Sequence, residues 1–180
     1  MKWVVRLVSA VIALALVAVA ISFALPAQSS HTRVIVLKET PEAVFAVLSD
    51  VQKFPSWNRN LEKVETLPPI DGKDATKQTF QGGMTMTVVT TESLAPTHLV
   101  RIVRDVSGTT FSGSWNYEIT PTNEGCDVAL TEKAYLRNPL SRLRVWLLGS
   151  TRYVDQHLVA LAKHFGERPI IRSQRSALQR

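Results

Sequence analysis

Two side chains in this 180-residue sequence are placed to do acid–base chemistry. Glu132 follows Val128 and Leu130 at two-residue steps, so a strand that turns those two inward turns Glu132 inward as well. A carboxyl group held there needs an Arg, Tyr or His beside it, or burial raises its pKa. At the end of a strand it can equally sit in water or in a structural ion pair. His157 is the second candidate, working as an acid or base with a Tyr or Arg. Beyond these two, the familiar constellations are missing. There is no HExxH, no Gly-rich phosphate loop and no nucleophile elbow, and no Ser, His and Asp stand at a spacing that makes a triad. His98 and His157 have no second His or carboxylate at metal-ligand spacing, and His31 and His164 are placed at a linker and on an outer helix face. Cys126 is the single cysteine, which excludes an internal disulfide and a Cys-based metal site. No metal and no cofactor is expected.

What the chain does offer is a set of large apolar side chains in unusual places. VQKFPSWNRN, Val51 to Asn60, is too short and too broken for a full helix or strand, yet it carries Phe54 and Trp57. In Thr110 to Thr120, Phe111, Gly113, Trp115, Tyr117 and Ile119 share one face of a strand, the expected concave one. The indole N–H and phenol O–H want partners when buried, either a ligand or neighbouring backbone. Met84 and Met86 alternate with Thr85 and Thr87, which suits an adaptable pocket or an ordinary core. Gly149, Ser150 and Thr151 interrupt a helix with small residues, leaving space, a close approach or a kink.

The elements that must position these residues follow from patterning. His31 to Lys38 reads as a strand, and Thr40-Pro41-Glu42 as an N-cap, a first-turn proline and an early acid. A short helix runs to about Asp50, with a second helical turn in Val51 to Asn60. Five further strand segments follow with short turns: Asn60–Leu67, Ala75–Gln81, Met84–Ser93, His98–Val106 and Thr110–Thr120. Cys126–Leu136 is the last, and the whole is a meandering sheet. Asn138-Pro139 opens a long helix in which Leu140, Leu143, Leu147, Thr151, Val154, Leu158, Leu161 and Phe165 recur at three- and four-residue steps, ended by Gly166 and Pro169. The expected class is α+β, a curved antiparallel sheet of six to seven strands wrapped on one long C-terminal helix. One helix does not seal a bent sheet of that size everywhere, so a space is expected between them.

Leu7 to Ala27 contains no charged residue and is long enough to span a bilayer. It reads as an uncleaved transmembrane anchor; a signal peptide cut near Ser22-Phe23-Ala24 is the alternative. Lys2 and Arg6 precede it, which places the N-terminus in the cytoplasm and the domain on the extracytoplasmic side. The expected layout is residues 1–27 anchor, 28–30 linker, 31–167 domain and 168–180 a basic, disordered tail. The net charge of +6 is concentrated at the C-terminal end, where Arg137 to Arg180 holds nine basic and two acidic residues. That suits an anionic headgroup surface or a solvated helix face with its tail. Nucleic acid is not an expected partner outside the cytoplasm.

TPEAVFAVLSDVQKFPSWN near the front, then FSGSWNYEITP, GCDVALTE and YLRNPLSRL…FGE, resemble the START-like, Bet v 1-like superfamily, and within it the polyketide cyclase/dehydrase and lipid transport group. The resemblance spans His31 to Glu167 and implies a helix-grip fold with a deep hydrophobic cavity. Phe54 and Trp57 then line the cavity mouth or plug the core end. The expected lining is Phe54, Trp57, Phe80, Met84, Met86, Trp115, Tyr117, Leu147, Thr151 and Val154. Three roles are open: a membrane-anchored binder of a hydrophobic small molecule or lipid, a cyclase/dehydrase-like enzyme, and a ligand-free interaction module of an envelope complex.

Overall fold

The computed structural model describes residues 2–104, 111–149 and 151–173; of Phe111 and Ser173 it describes the backbone only. Helix α1, Lys2–Ala24, is apolar and exposed along nearly its whole length. Three residues later strand β1, Gln28–Leu37, begins, so the expected linker at 28–30 is already strand. Helix α2, Pro41–Ser49, starts where the sequence says it should. The Thr40 hydroxyl accepts a bond from the Ala43 N–H, Pro41 fills the first turn, and Val44, Phe45 and Leu48 are buried. A 3-10 turn, Val51–Lys53, and the short helix α3, Phe54–Trp57, follow.

The sheet then runs β2 (Leu61–Ile70), β3 (Lys73–Phe80), β4 (Thr85–Leu94), β5 (His98–Arg104), β6 (Phe111–Thr122) and β7 (Gly125–Leu136). Every pairing is antiparallel, in the spatial order β2-β3-β4-β5-β6-β7-β1-β8. β2 extends through Pro68 and Pro69, beyond the strand end expected at Leu67. It tolerates them because it is the sheet's edge and its register shifts between Leu67 and Ile70. The turn itself is Asp71-Gly72, both at positive φ, as a tight hairpin requires. β6 and β7 approach so closely at Gly113 that a Cβ there would lie 2.0 Å from the Lys133 carbonyl oxygen.

Two expectations need correction. The sheet has eight strands, not six to seven: β8, Ile171–Ser173, pairs with β1 through Ile35↔Ile171, so that part of the basic tail is ordered. Residues 174–180 lie outside the described residues. The single long C-terminal helix is two. Helix α4, Pro139–Leu148, is capped by the Asn138 side chain and ends at Gly149, whose φ of 93° no helix accommodates. Helix α5, Arg152–His164, continues and buries Val154, His157, Leu158, Leu161 and Ala162. Only α5 lies in the grip of the sheet, which it covers together with α2 and α3. Their buried side chains meet Ile35, Leu37, Leu99, Val103, Trp115, Tyr117, Ile119, Val128 and Leu130 in one core.

Candidate functional site

Between α5 and the sheet the core stops being purely apolar. β5 alternates inward and outward, and its inward positions are Leu99, Arg101 and Val103. Arg101 is therefore driven into the core and is 2% exposed. Its Nη2 donates to the Leu48 carbonyl at the end of α2, 2.5 Å away. Its guanidinium carbon stands 5.2 Å from the Phe54 ring centroid and 5.8 Å from that of Tyr117. Nε and Nη1 make no well-aligned hydrogen bond, although the Tyr117 hydroxyl lies within reach of the guanidinium. Burial pulls the Arg101 pKa down from its ordinary value, and the nearby Tyr117 hydroxyl opposes this.

Beside Arg101 lies a bonded triplet. α3 ends at Trp57, and the next residue, Asn58, is fully buried. Asn58 Nδ2 is 3.0 Å from His157 Nδ1, and His157 Nε2 is 3.1 Å from the Tyr117 hydroxyl. The Asn58 Oδ1 accepts from the Asn60 N–H, which leaves Nδ2 to face the imidazole. His157 Nδ1 is thus the acceptor, Nε2 carries the proton and donates it to Tyr117, and the Tyr117 O–H is left to donate elsewhere. Burial, reinforced by the Arg101 charge, lowers the His157 pKa to about 3, so the ring is neutral. Burial also pushes Tyr117 up to about 12, against the pull of Arg101.

Glu132 is buried on β7, opposite Trp115 on β6, and accepts the Trp115 Nε1–H at 2.9 Å. Its pKa is raised by burial, with the indole bond opposing. The aromatic rings run on continuously: Phe54 to Trp57 at 4.8 Å between centroids, Trp57 to His157 at 5.2 Å, His157 to Tyr153 at 6.2 Å, Tyr153 to Trp115 at 5.4 Å and Tyr153 to Phe80 at 6.1 Å. Outside this row, between α3 and the outer side of α5, opens a cleft of about 630 Å³. Trp57 and Asn58 belong to both: they line the cleft and touch His157. Trp57 Nε1 is a further buried donor without a hydrogen-bond partner.

Of the residues the sequence singled out, the fold brings together Phe54, Trp57, Phe80, Met86, Trp115, Tyr117, Val154, Glu132 and His157 around this row or in the adjoining core. It does not bring in three others. Leu147 is 68% exposed on α4. Met84 precedes β4 and is 48% exposed. The Thr151 hydroxyl receives the Arg33 Nη2 and donates to Asp155. His31 lies in β1, and His164 is exposed on α5 while touching Trp57. Three members were missed. Arg101 was signalled by its place between Leu99 and Val103 in a strand of period two. Tyr153 precedes Val154 on a helix whose buried stripe is wider than the predicted one. Asn58 carried no signal, since nothing in WNRN separates the buried Asn from its exposed neighbours. Among the described residues no group of His, Cys, Asp and Glu is placed to hold a metal ion.

A sheet that grips one helix, with polar groups buried among rings in the grip, defines the START-like, Bet v 1-like helix-grip class. The chain belongs to the family of polyketide cyclase / dehydrase and lipid transport proteins, whose model matches residues 28–166. No curated protein matches it. Solved structures share the fold at low identity. The Zhui aromatase/cyclase from Streptomyces sp. R1128 is 16% identical, with a TM-score of 0.60 over 76% of this chain and 92% of that one. A conserved protein from Geobacillus kaustophilus is 17% identical, with a TM-score of 0.61 over 79% and 99%. A START superfamily protein from Mycobacterium smegmatis is 15% identical, with a TM-score of 0.56 over 76% and 95%.

Proposed function

We propose that the chain is a membrane-tethered binding domain for a hydrophobic small molecule or lipid that carries an oxygen acceptor at one end. The observation that carries this is the buried, acceptor-poor guanidinium of Arg101, walled by Phe54 and Tyr117. A charge so placed is costly in a mere core, and replacement by an apolar side chain is commonly neutral or better. Its retention suits a guest whose carboxylate or carbonyl completes it. Trp57 Nε1 adds a second donor beside the cleft through which such a guest would enter. α1 is long and apolar enough to cross a membrane, and Lys2 and Arg6 favour a domain on the extracytoplasmic side.

Native mass spectrometry of the full-length chain, purified from membranes in nanodiscs, tests this. The expected result is a lipid-sized, acid- or carbonyl-bearing adduct on the wild type, depleted roughly tenfold in Arg101→Met. A wild-type protein that carries no adduct, and takes up neither a long-chain fatty acid nor its methyl ester, would overturn the reading.

A second reading, a cyclase/dehydrase-like enzyme, has one specific support. The Asn58–His157–Tyr117 chain delivers a phenol O–H next to a guanidinium, the pair needed to protonate and polarise a substrate carbonyl. Turnover of a bound polyketone that is lost in Tyr117→Phe, with binding retained, would favour it.

A further inference from the structure

Among the described residues α4 is the one helix longer than a single turn that buries no side chain. Leu140, Trp146, Leu147 and Leu148 are all exposed, between 51% and 68%. Leu140, Arg144, Leu147 and Leu148 recur at helical spacing, so three of the four apolar groups and an exposed arginine share a face. An exposed apolar surface of this kind on a monomer marks a contact. Its position indicates with what. α4 packs against the C-terminal end of α1, the apolar helix, where Ser22 is the buried residue. Arg142 fastens the two: Nε donates to the Leu136 carbonyl, Nη1 to that of Leu25, and Nη2 to that of Arg137. Gly149 then swings α4 out of line with α5. Arg144 on the helix and Arg137 and Arg152 on either side of it are exposed, with no acidic residue between them.

We infer that α4 is an interfacial helix that lies in the surface of the bilayer crossed by α1, with Leu140, Leu147 and Leu148 below the headgroups and the arginines reaching anionic ones. Continuity with the span decides for lipid over another protein. A helix clamped to the end of a transmembrane segment is held at headgroup depth whatever else it does. Leucines toward the acyl chains, with an arginine long enough to reach up from among them to the headgroups, is a composition that depth selects.

The inference rests on α1 as a membrane span, and the test separates the two. Full-length protein in a Cys126→Ala background is reconstituted into phosphatidylcholine vesicles with or without phosphatidylglycerol. A nitroxide is placed at Leu147→Cys, at Leu14→Cys within α1, or at Glu124→Cys in the β6–β7 turn, at the end of the sheet away from α1. Accessibility to oxygen and to a water-soluble nickel complex gives depth. The expected result is a label at 147 roughly tenfold less accessible to nickel than at 124, and deeper when the anionic lipid is present. Replacing Arg137, Arg144 and Arg152 by Gln should abolish the dependence on anionic lipid. A label at 147 as wet as that at 124, with the label at 14 immersed, overturns the inference alone. A label at 14 that is not immersed overturns the span and the inference together. Spin–spin broadening between labels at 147 on separate chains would show that a second copy covers the face, and would also overturn it.

Discussion

His157 Nε2 on α5 lies 3.1 Å from the Tyr117 hydroxyl on β6, and this bond crosses the gap between helix and sheet. Its polarity is set on the other side of the ring by Asn58, which can only donate to Nδ1 because its oxygen is taken by the Asn60 N–H. One amide therefore fixes the tautomer, and the tautomer fixes which way the phenol points its proton. Asn58→Asp should reverse this. A carboxylate accepts from Nδ1–H, leaves Nε2 as an acceptor for the tyrosine proton, and raises the His157 pKa by stabilising the imidazolium. Nitrogen chemical shifts of the imidazole check it; an unchanged Nε2–H tautomer in the variant would refute the assignment.

Acid stability should follow from the same ring. His157 is held neutral, its pKa lowered by burial to about 3 from the 6.5 of an ordinary imidazole. Between those values the unfolded chain binds a proton that the native chain refuses, so stability rises with pH there. The contribution is fully present above pH 6.5 and is lost as pH falls toward 3, at about 1.4 kcal/mol per pH unit. Denaturant unfolding from pH 7 to 4 should show that slope, and His157→Gln should remove most of it.

Arg101→Met should separate stability from binding. Removing a buried, incompletely bonded cation in favour of an apolar chain of similar length should raise unfolding stability by about 1–4 kcal/mol. An Arg101→Met protein that melts well below the wild type would mean that the bond to the Leu48 carbonyl outweighs the cost of burying the charge.

Much of this architecture was legible because it rests on short-range rules. The cap at Thr40-Pro41, the alternation that turns Trp115, Tyr117 and Ile119 inward, and the step that carries Glu132 in behind Leu130 are all local patterns. The failures are of another kind. The stripe from Leu140 to Phe165 continues across Gly149 as a pattern, although the backbone does not, so the pattern puts Leu147 in a core that α5 reaches and α4 does not. β8 is three residues long and owes its existence to the free edge of β1. The buried cluster needed partners 40 to 99 residues apart, Tyr117 with His157 and Asn58 with His157, which no periodicity connects.

Gly113→Ala should be among the most damaging small substitutions in the sheet. The added methyl would meet the backbone carbonyl of Lys133, which cannot move without breaking the β6–β7 ladder. A loss of about 3 kcal/mol is expected in equilibrium unfolding. A loss under about 0.5 kcal/mol, the range of an ordinary surface change, would show that the strands separate freely.

Cys126 should be inert. It is fully buried on β7, and burial foremost, with Asp127 next, raises its thiol to about 11. At pH 8 a disulfide reagent should modify the native chain roughly a thousandfold more slowly than the unfolded one. Rapid labelling of the folded protein would mean that β1 and β7 part at their Leu37–Cys126 end.

Three residues, Leu25 to Ala27, join the apolar helix to the sheet, and both ends of that joint are tied, Leu25 N–H to Ile21 and the Ala27 carbonyl to Leu136 N–H. Such a leash gives the domain a reach of about 10 Å. With α1 in a bilayer, the domain cannot shuttle across an aqueous gap or visit an opposing membrane. On the proposed reading, a guest would have to reach the domain at the surface of that same bilayer.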